Sequence, residues 1–219
     1  MLGLVAFSAK GQLVYLYNNS DPSSDQNSRL SAVDNLWFGD EVILGGNYPG
    51  NSTMTHFDFQ YWAQGTTGLT IDVALLYNNG TPYNGYASPD SFANAIYSYS
   101  GAAVSDTDRS TLSFDAGVDF SSLGIDLTQG TLTLAVKFNF NGGGGDAGVD
   151  LYNPPVEGSS LPDFWLWDSL SGTWQLSTNN VFGTVNFGMT IAAPEPSAFS
   201  IFIVGGMMMF GFRRFLGRK

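Results

Sequence analysis

The chain contains no cysteine. That excludes disulfides, thiolate metal sites and cysteine nucleophiles. Histidine is nearly absent as well, with His56 the single one. A Ser-His-Asp triad needs a histidine to carry the proton, and zinc hydrolase sites usually draw on two or more. His56 stands in an alternating stretch beside Asp58, with no nucleophile-elbow pattern near it, and reads as a solvated strand residue. No spacing supports a glycosidase pair of carboxylates, so the chain reads as a non-enzyme. Charge is scarce too, at 12% of residues, with eight Lys and Arg against nineteen Asp and Glu. Half of the basic residues sit in the last seven positions, which leaves the body with four basic and eighteen acidic residues, near −14. An acidic body repels nucleic acid and anionic lipid. No helix-period segment of useful length occurs before residue 193.

Aromatics are plentiful, at 15%, and so is glycine, at 27 residues. Aromatics favour pleated surfaces. His56 to Trp62 alternates cleanly, with Phe57, Phe59 and Tyr61 on one face and His56, Asp58, Gln60 and Trp62 on the other. Period two with one apolar face marks a half-buried antiparallel strand. Thr131 to Phe140 carries Leu132, Leu134, Val136, Phe138 and Phe140 on one face, and Val185, Phe187, Met189 and Ile191 repeat the pattern. Further strands are expected at 12–17, at 35–44, at 70–77 before the turn Asn78-Asn79-Gly80, at 95–99, 110–114, 149–152, 164–167 and 173–176. Residues 18–30 are polar and read as a long loop, and 81–90 as irregular. About ten short strands with glycine-rich turns predict one antiparallel β-sandwich over 10–192, jelly-roll-like.

Three groups of residues are candidates for binding. Trp62 lies on the polar face of its strand, and Trp165, Trp167 and Trp174 crowd a short segment with Asp163. Flat rings stack on apolar sugar faces while carboxylates take hydroxyls, which fits a carbohydrate-binding module. The alternative is that Trp165 and Trp167 close the sandwich core. Asp106 and Asp108, and Asp146 with Asp150, place oxygens for a structural calcium, although calcium wants six to eight of them and neither pair suffices alone. The run Asn141 to Gly148 satisfies G-x-G-x-x-G from Gly143. No helix pattern follows it, so it reads as a strand connection and not a dinucleotide site.

Both ends are distinct from the body. Residues 1–9 read as the back half of a secretory signal, with a cut before Ala9, although the basic n-region is missing; a first strand is the alternative. At the other end, 193–219 has three parts. Pro194-Glu195-Pro196-Ser197 punctuates the chain, since proline lacks the ladder donor. Ala198 to Phe212 is apolar and uncharged, about 22 Å as a helix. Phe215 and Leu216 extend it, with Arg213 and Arg214 snorkelling. Arg213, Arg214, Arg218 and Lys219 then form a basic stop that keeps this end cytoplasmic. Position and flanks predict a transmembrane helix from about Ser197 to Phe215; a buried core helix is the alternative for an apolar run shorter than the ~30 Å hydrocarbon core.

This order of parts resembles the PEP-CTERM sorting signal of Gram-negative bacteria. The resemblance covers only the tail. It implies recognition by an exosortase, a membrane-embedded cysteine peptidase or transpeptidase, with the precursor held in the inner membrane and the body released or transferred to the cell surface. It also implies a host that makes extracellular polysaccharide or biofilm. In the body, Gly39-Asp40-Glu41, Phe57-Asp58-Phe59, Pro154-Pro155 with Gly158, and Asp163-Phe164-Trp165 resemble a body type often joined to such tails, a likeness that implies no particular activity. Together these features predict an exported, surface-sorted structural or matrix protein, with a carbohydrate-binding module as the alternative.

Overall fold

A computed structural model describes residues 13–20, 25–45, 51–116, 118–119, 123–126, 131–152, 154–177 and 185–194. A compact unit runs from Tyr15 to Ala193. The second unit, Met1–Val14 with Pro194–Lys219, contributes only 13, 14 and 194 to the described residues. The signal expectation at 1–9 and the tail beyond Pro194 therefore lie outside them.

In chain order the strands are β1 (Leu13–Asn18), β2 (Asp25–Ser31), β3 (Trp37–Ile43), β4 (Asn51–Met54), β5 (His56–Gln64), β6 (Thr70–Tyr77), β7 (Tyr97–Ala103), β8 (Thr107–Asp115), β9 (Leu123–Asp126), β10 (Thr131–Asn139), β11 (Asp146–Tyr152), β12 (Ser159–Ser160), β13 (Phe164–Asp168), β14 (Thr173–Ser177) and β15 (Met189–Pro194). The one helical piece among the described residues is a 3-10 turn, Phe92–Asn94. None of their helices is long and apolar enough to cross a membrane.

Two antiparallel sheets form a sandwich. The six-stranded sheet runs β1-β15-β5-β11-β2, with β8 along the other side of β5. The seven-stranded sheet runs β14-β13-β3-β10-β6-β7, with β12 also on β3. β4 and β9 make a separate ribbon. The alternating positions drive this arrangement. Phe57 and Phe59 from β5, Leu134, Val136 and Phe138 from β10, and Phe187 and Met189 before and in β15 all enter one buried cluster. Each such side chain contributes about 1.5–3 kcal/mol through burial.

The seven-stranded sheet is covered on its outer face as well. Ala74, Leu76 and Ala135 point away from the main core and lie under Trp165 and Trp174. This explains why β6 reads as a nearly unbroken apolar run, since both of its faces are buried. Gly39 makes room for the cover. It pairs with Trp165, and a Cβ there would come within 2.6 Å of the Thr133 methyl.

Three expectations need correction. The polar stretch 18–30 is not one loop, because Asp25–Ser31 forms β2 against β11. An edge strand can be held by its ladder and by one ion pair, here Arg29 to Asp150 at 3.4 Å, without an apolar period. The last strand begins at Met189, four residues after Val185. Val185 and Phe187 are buried nonetheless, and Phe187 makes an isolated bridge to Leu151. Finally, Trp165 and Trp167 do not close the space between the sheets; they cover the outer face.

Candidate functional site

The outer face of the seven-stranded sheet gathers four of the five tryptophans. Trp167 and Trp174 face each other across the β13–β14 hairpin, with ring centroids 5.3 Å apart and planes at 66°. Phe92, on the 3-10 turn, wedges behind them. It lies 5.1 Å from Trp167, 5.4 Å from Trp174 and 4.7 Å from Trp37. Such edge and tilted contacts each add about 0.5–1.5 kcal/mol beyond area burial.

The hairpin and the loop 80–91 enclose a cleft of about 270 Å³. Trp167, Trp174 and Tyr83 supply its aromatic wall; Asp90, Thr81 and Thr173 supply polar groups. Local chemistry fixes each wall. Tyr83 and Tyr86 exchange both backbone hydrogen bonds, at 2.9 and 3.0 Å, across Asn84 and Gly85, which have φ of 50° and 88°. Two positive φ values are the primed turn that Asn-Gly favours. The Ser88 hydroxyl donates to the Thr81 carbonyl at 2.7 Å. The Asp90 carboxylate accepts from the Ser91 N–H at 2.6 Å and from the Asn94 amide at 3.1 Å. The Trp174 indole N–H then ties the hairpin to the loop through the Asp90 carbonyl, at 3.1 Å.

The other candidate residues lie elsewhere. Trp165 is fully buried, and its indole N–H donates to Glu41 at 2.8 Å. Asp163 is buried beside Glu41. Between Ser160–Val42 and Trp165–Gly39 the incoming strand spends five steps against three on β3. The surplus bulges around Asp163. Trp62 belongs to the opposite sheet. It is on the outer face as expected, but it is 5% exposed because the Arg29 guanidinium lies 5.2 Å above its ring.

The calcium candidates are also dispersed into local roles. Asp106 accepts the Gly65 and Thr66 N–H groups at 2.8 and 2.9 Å. The Thr66 hydroxyl and N–H and the Gly65 N–H hold its carboxyl below the usual range. Asp108 accepts from Gln64 and Asp146 from the Ala147 N–H. Asp150 is buried between Arg29 and Arg109, each 3.4 Å away. Burial raises its carboxyl more than the two guanidiniums lower it. Among the described residues no cluster of three or more metal-ligating side chains occurs.

The strongest electrostatics belong to residues for which the sequence suggested no buried or clamped role. Asp40 alternates with Phe38 and Val42, so it points into the main core. It accepts from the Ser160 hydroxyl at 2.9 Å and from the Phe187 N–H at 2.7 Å. Burial pushes its pKa well up, and these two hydrogen bonds offset only part of that. Burial likewise raises Glu41 and Asp163. One oxygen of Asp163 has no hydrogen-bond partner among the described residues. An acidic residue in a strand gives no signal of its own; only the β12–β13 bulge, a tertiary feature, brings the three carboxyls together. His56 is held between Asp115, at 2.7 Å from Nδ1, and Asp58, at 3.1 Å from Nε2. Carboxylates only accept, so the protonated ring, with both nitrogens donating, is the form that satisfies both partners at once. The hydrogen bond to Asp58 is the main cause of its raised pKa, with Asp115 adding to it against burial.

No family model and no curated protein matches the chain. It is similar to the infectious bursal disease virus VP2 subviral particle, with a TM-score of 0.25 and 10% identity over 77% of this chain and 36% of that one. A structure of the Gx strain of the same virus gives a TM-score of 0.25 and 10% identity over 76% and 36%. The chain thus spans about a third of those neighbours' length, and at that score the likeness carries no argument.

Proposed function

We propose that this is an exported, surface-sorted, non-enzymatic β-sandwich with a structural role in an extracellular matrix, and that an exosortase processes its tail. The carrying observation is the boundary at Ala193. The compact unit ends there, and the three-part tail begins at the next residue, Pro194, which is also the last residue of β15. A proline can end a ladder because it brings no N–H. In this reading 197–215 is a helix in the inner membrane of a Gram-negative cell, Arg213, Arg214, Arg218 and Lys219 stay cytoplasmic, and the body lies outside. We read the sandwich as jelly-roll-like, a reading supported by the repeated changes of sheet from β2 to β3, β5 to β6, β7 to β8, β10 to β11, β11 to β12 and β14 to β15, since double-sheet rolls alternate in this way. The non-enzymatic part draws support from the titratable groups. His56, Asp40, Asp150 and Asp163 are each committed to contacts or burial within the fold.

Intact-mass measurement of the extracellular protein from its native host tests this. Mature protein should lack residues 213–219. Replacing Pro194-Glu195-Pro196 with three alanines should leave membrane insertion intact and block processing. A complete tail on the exported body would overturn the sorting reading and leave a simple membrane anchor.

A second reading, a carbohydrate-binding module, is favoured by one observation: Trp167 and Trp174 line a common cleft.

A further inference from the structure

We propose that the cleft between the loop 80–91 and the β13–β14 hairpin is a subsite for one neutral sugar ring of a polysaccharide chain. The proposal rests on the carbohydrate-binding reading and not on the sorting route. Size comes first. At about 270 Å³ the cleft falls just under the roughly 300–1,000 Å³ of small-molecule sites, which suits a single ring entering from a longer chain.

The wall chemistry is the second argument. A pyranose offers C–H groups on its faces and hydroxyls around its rim. Trp167, half-buried, and Tyr83 give aromatic surface for the first. Asp90, Thr81 and Thr173 give acceptors and hydroxyls for the second. Asp90 is the one Asp, Glu, Lys, Arg or His side chain in the lining, so a uronic acid or sulfated ring would meet a carboxylate and no compensating cation. Asp90 itself is already oriented by Ser91 and Asn94, as an acceptor aimed at hydroxyls should be.

Preorganisation is the third. Phe92 packs edge-on against Trp167 from behind, the Trp174 indole locks the hairpin to the loop, and the Tyr83–Tyr86 turn is closed by two backbone bonds. A wall already held in place loses little conformational entropy on binding. Leu170, at the tip of the same hairpin, is 97% exposed and outside the lining.

The test is affinity electrophoresis of the full chain in detergent, through gels holding galactomannan, dextran, β-glucan or alginate, with a polymer-free gel as reference. Choline is added as a competitor in a parallel run. At least one neutral polymer should retard the protein, alginate and choline should have no effect, and Trp167→Ala should weaken retardation roughly tenfold or more, as loss of a central aromatic anchor does. Thr173→Val removes a rim hydroxyl that also pairs with the exposed Ser171 hydroxyl at 2.7 Å, and should weaken retardation several-fold while the protein still melts cooperatively within a few degrees of the parent, which covers the case in which Trp167→Ala unfolds. Leu170→Ala should behave as the parent. Retardation by a neutral polymer that neither Trp167→Ala nor Thr173→Val reduces would overturn the cleft assignment while sparing the carbohydrate reading. No retardation by any polymer would overturn both. Stronger retardation by alginate, or displacement by choline, would show that the cleft selects charge and end the neutral-sugar proposal.

Discussion

At the residue scale, protons decide more of this protein's stability than its few charges suggest. His56 has a raised pKa in the fold, caused chiefly by its hydrogen bond to Asp58 and then by Asp115. Its contribution is therefore complete below the unfolded value near 6.5 and fades as pH rises through the folded value. His56→Gln should cost about 1–2 kcal/mol at pH 5.5 and clearly less at pH 9; equal costs from urea unfolding at both would refute the clamp. Asp40 follows the same sign. Burial raises its carboxyl, so its contribution is complete below about pH 4 and is lost as pH climbs. Asn fits the same contacts uncharged, its oxygen taking the Phe187 N–H and its amide facing the Ser160 hydroxyl. Asp40→Asn should therefore raise stability at pH 9 by about 1 kcal/mol or more and give no gain at pH 4. A lower urea midpoint at pH 9 would contradict this account.

At the element scale, the β13–β14 hairpin is held by what it covers. Trp165 fills the outer cluster and also satisfies Glu41. Trp165→Phe keeps most of the ring and removes the donor, leaving Glu41 with the Asn78 amide, at 2.8 Å, as its remaining side-chain donor among the described residues. That should cost about 1–3 kcal/mol. Trp165→Ala adds a cavity, and should cost about 3–5 kcal/mol. The difference between the two, measured by chemical denaturation, separates packing from the hydrogen bond. The facing turn depends on backbone conformation. Gly85 sits at φ 88° with nothing near its would-be Cβ. Gly85→Ala should thus cost about 1–2 kcal/mol through φ alone, detectable as a lower melting temperature.

At the scale of the whole molecule, few strands pair with their chain neighbours. β2 lies on β11, β15 on β5, and β3 between β10 and β13. Loop-closure entropy must be met before these distant pairings stabilise anything, so refolding should take ~milliseconds to seconds or longer. Stopped-flow refolding from urea, followed by tryptophan fluorescence, checks this; microsecond refolding would be incompatible with the topology. Four of the five tryptophans report the outer face, so their signal follows the packing of the β13–β14 hairpin at the edge of its sheet.

Period-two alternation by itself determined the fold class and most of the inward residues. Phe57, Phe59, Leu134, Val136 and Phe138 could be read directly, because a pleated strand sends alternate side chains to opposite faces whatever its neighbours are. The reading of 81–90 as irregular overlooks the turn at Asn84 and Gly85, although an Asn-Gly pair is itself a local signal. Tertiary structure alone decided the rest. Whether β2 forms depends on an edge of β11 more than a hundred residues away, and polar residues carry no period that announces it. The tryptophans looked alike in the sequence, yet Trp62 is capped by an arginine, Trp165 is sealed against the outer face of the sheet, and Trp167 and Trp174 border a cleft. The reason is physical: a ring's chemistry is set by its residue type, but its exposure is set by which other segment of chain arrives to cover it.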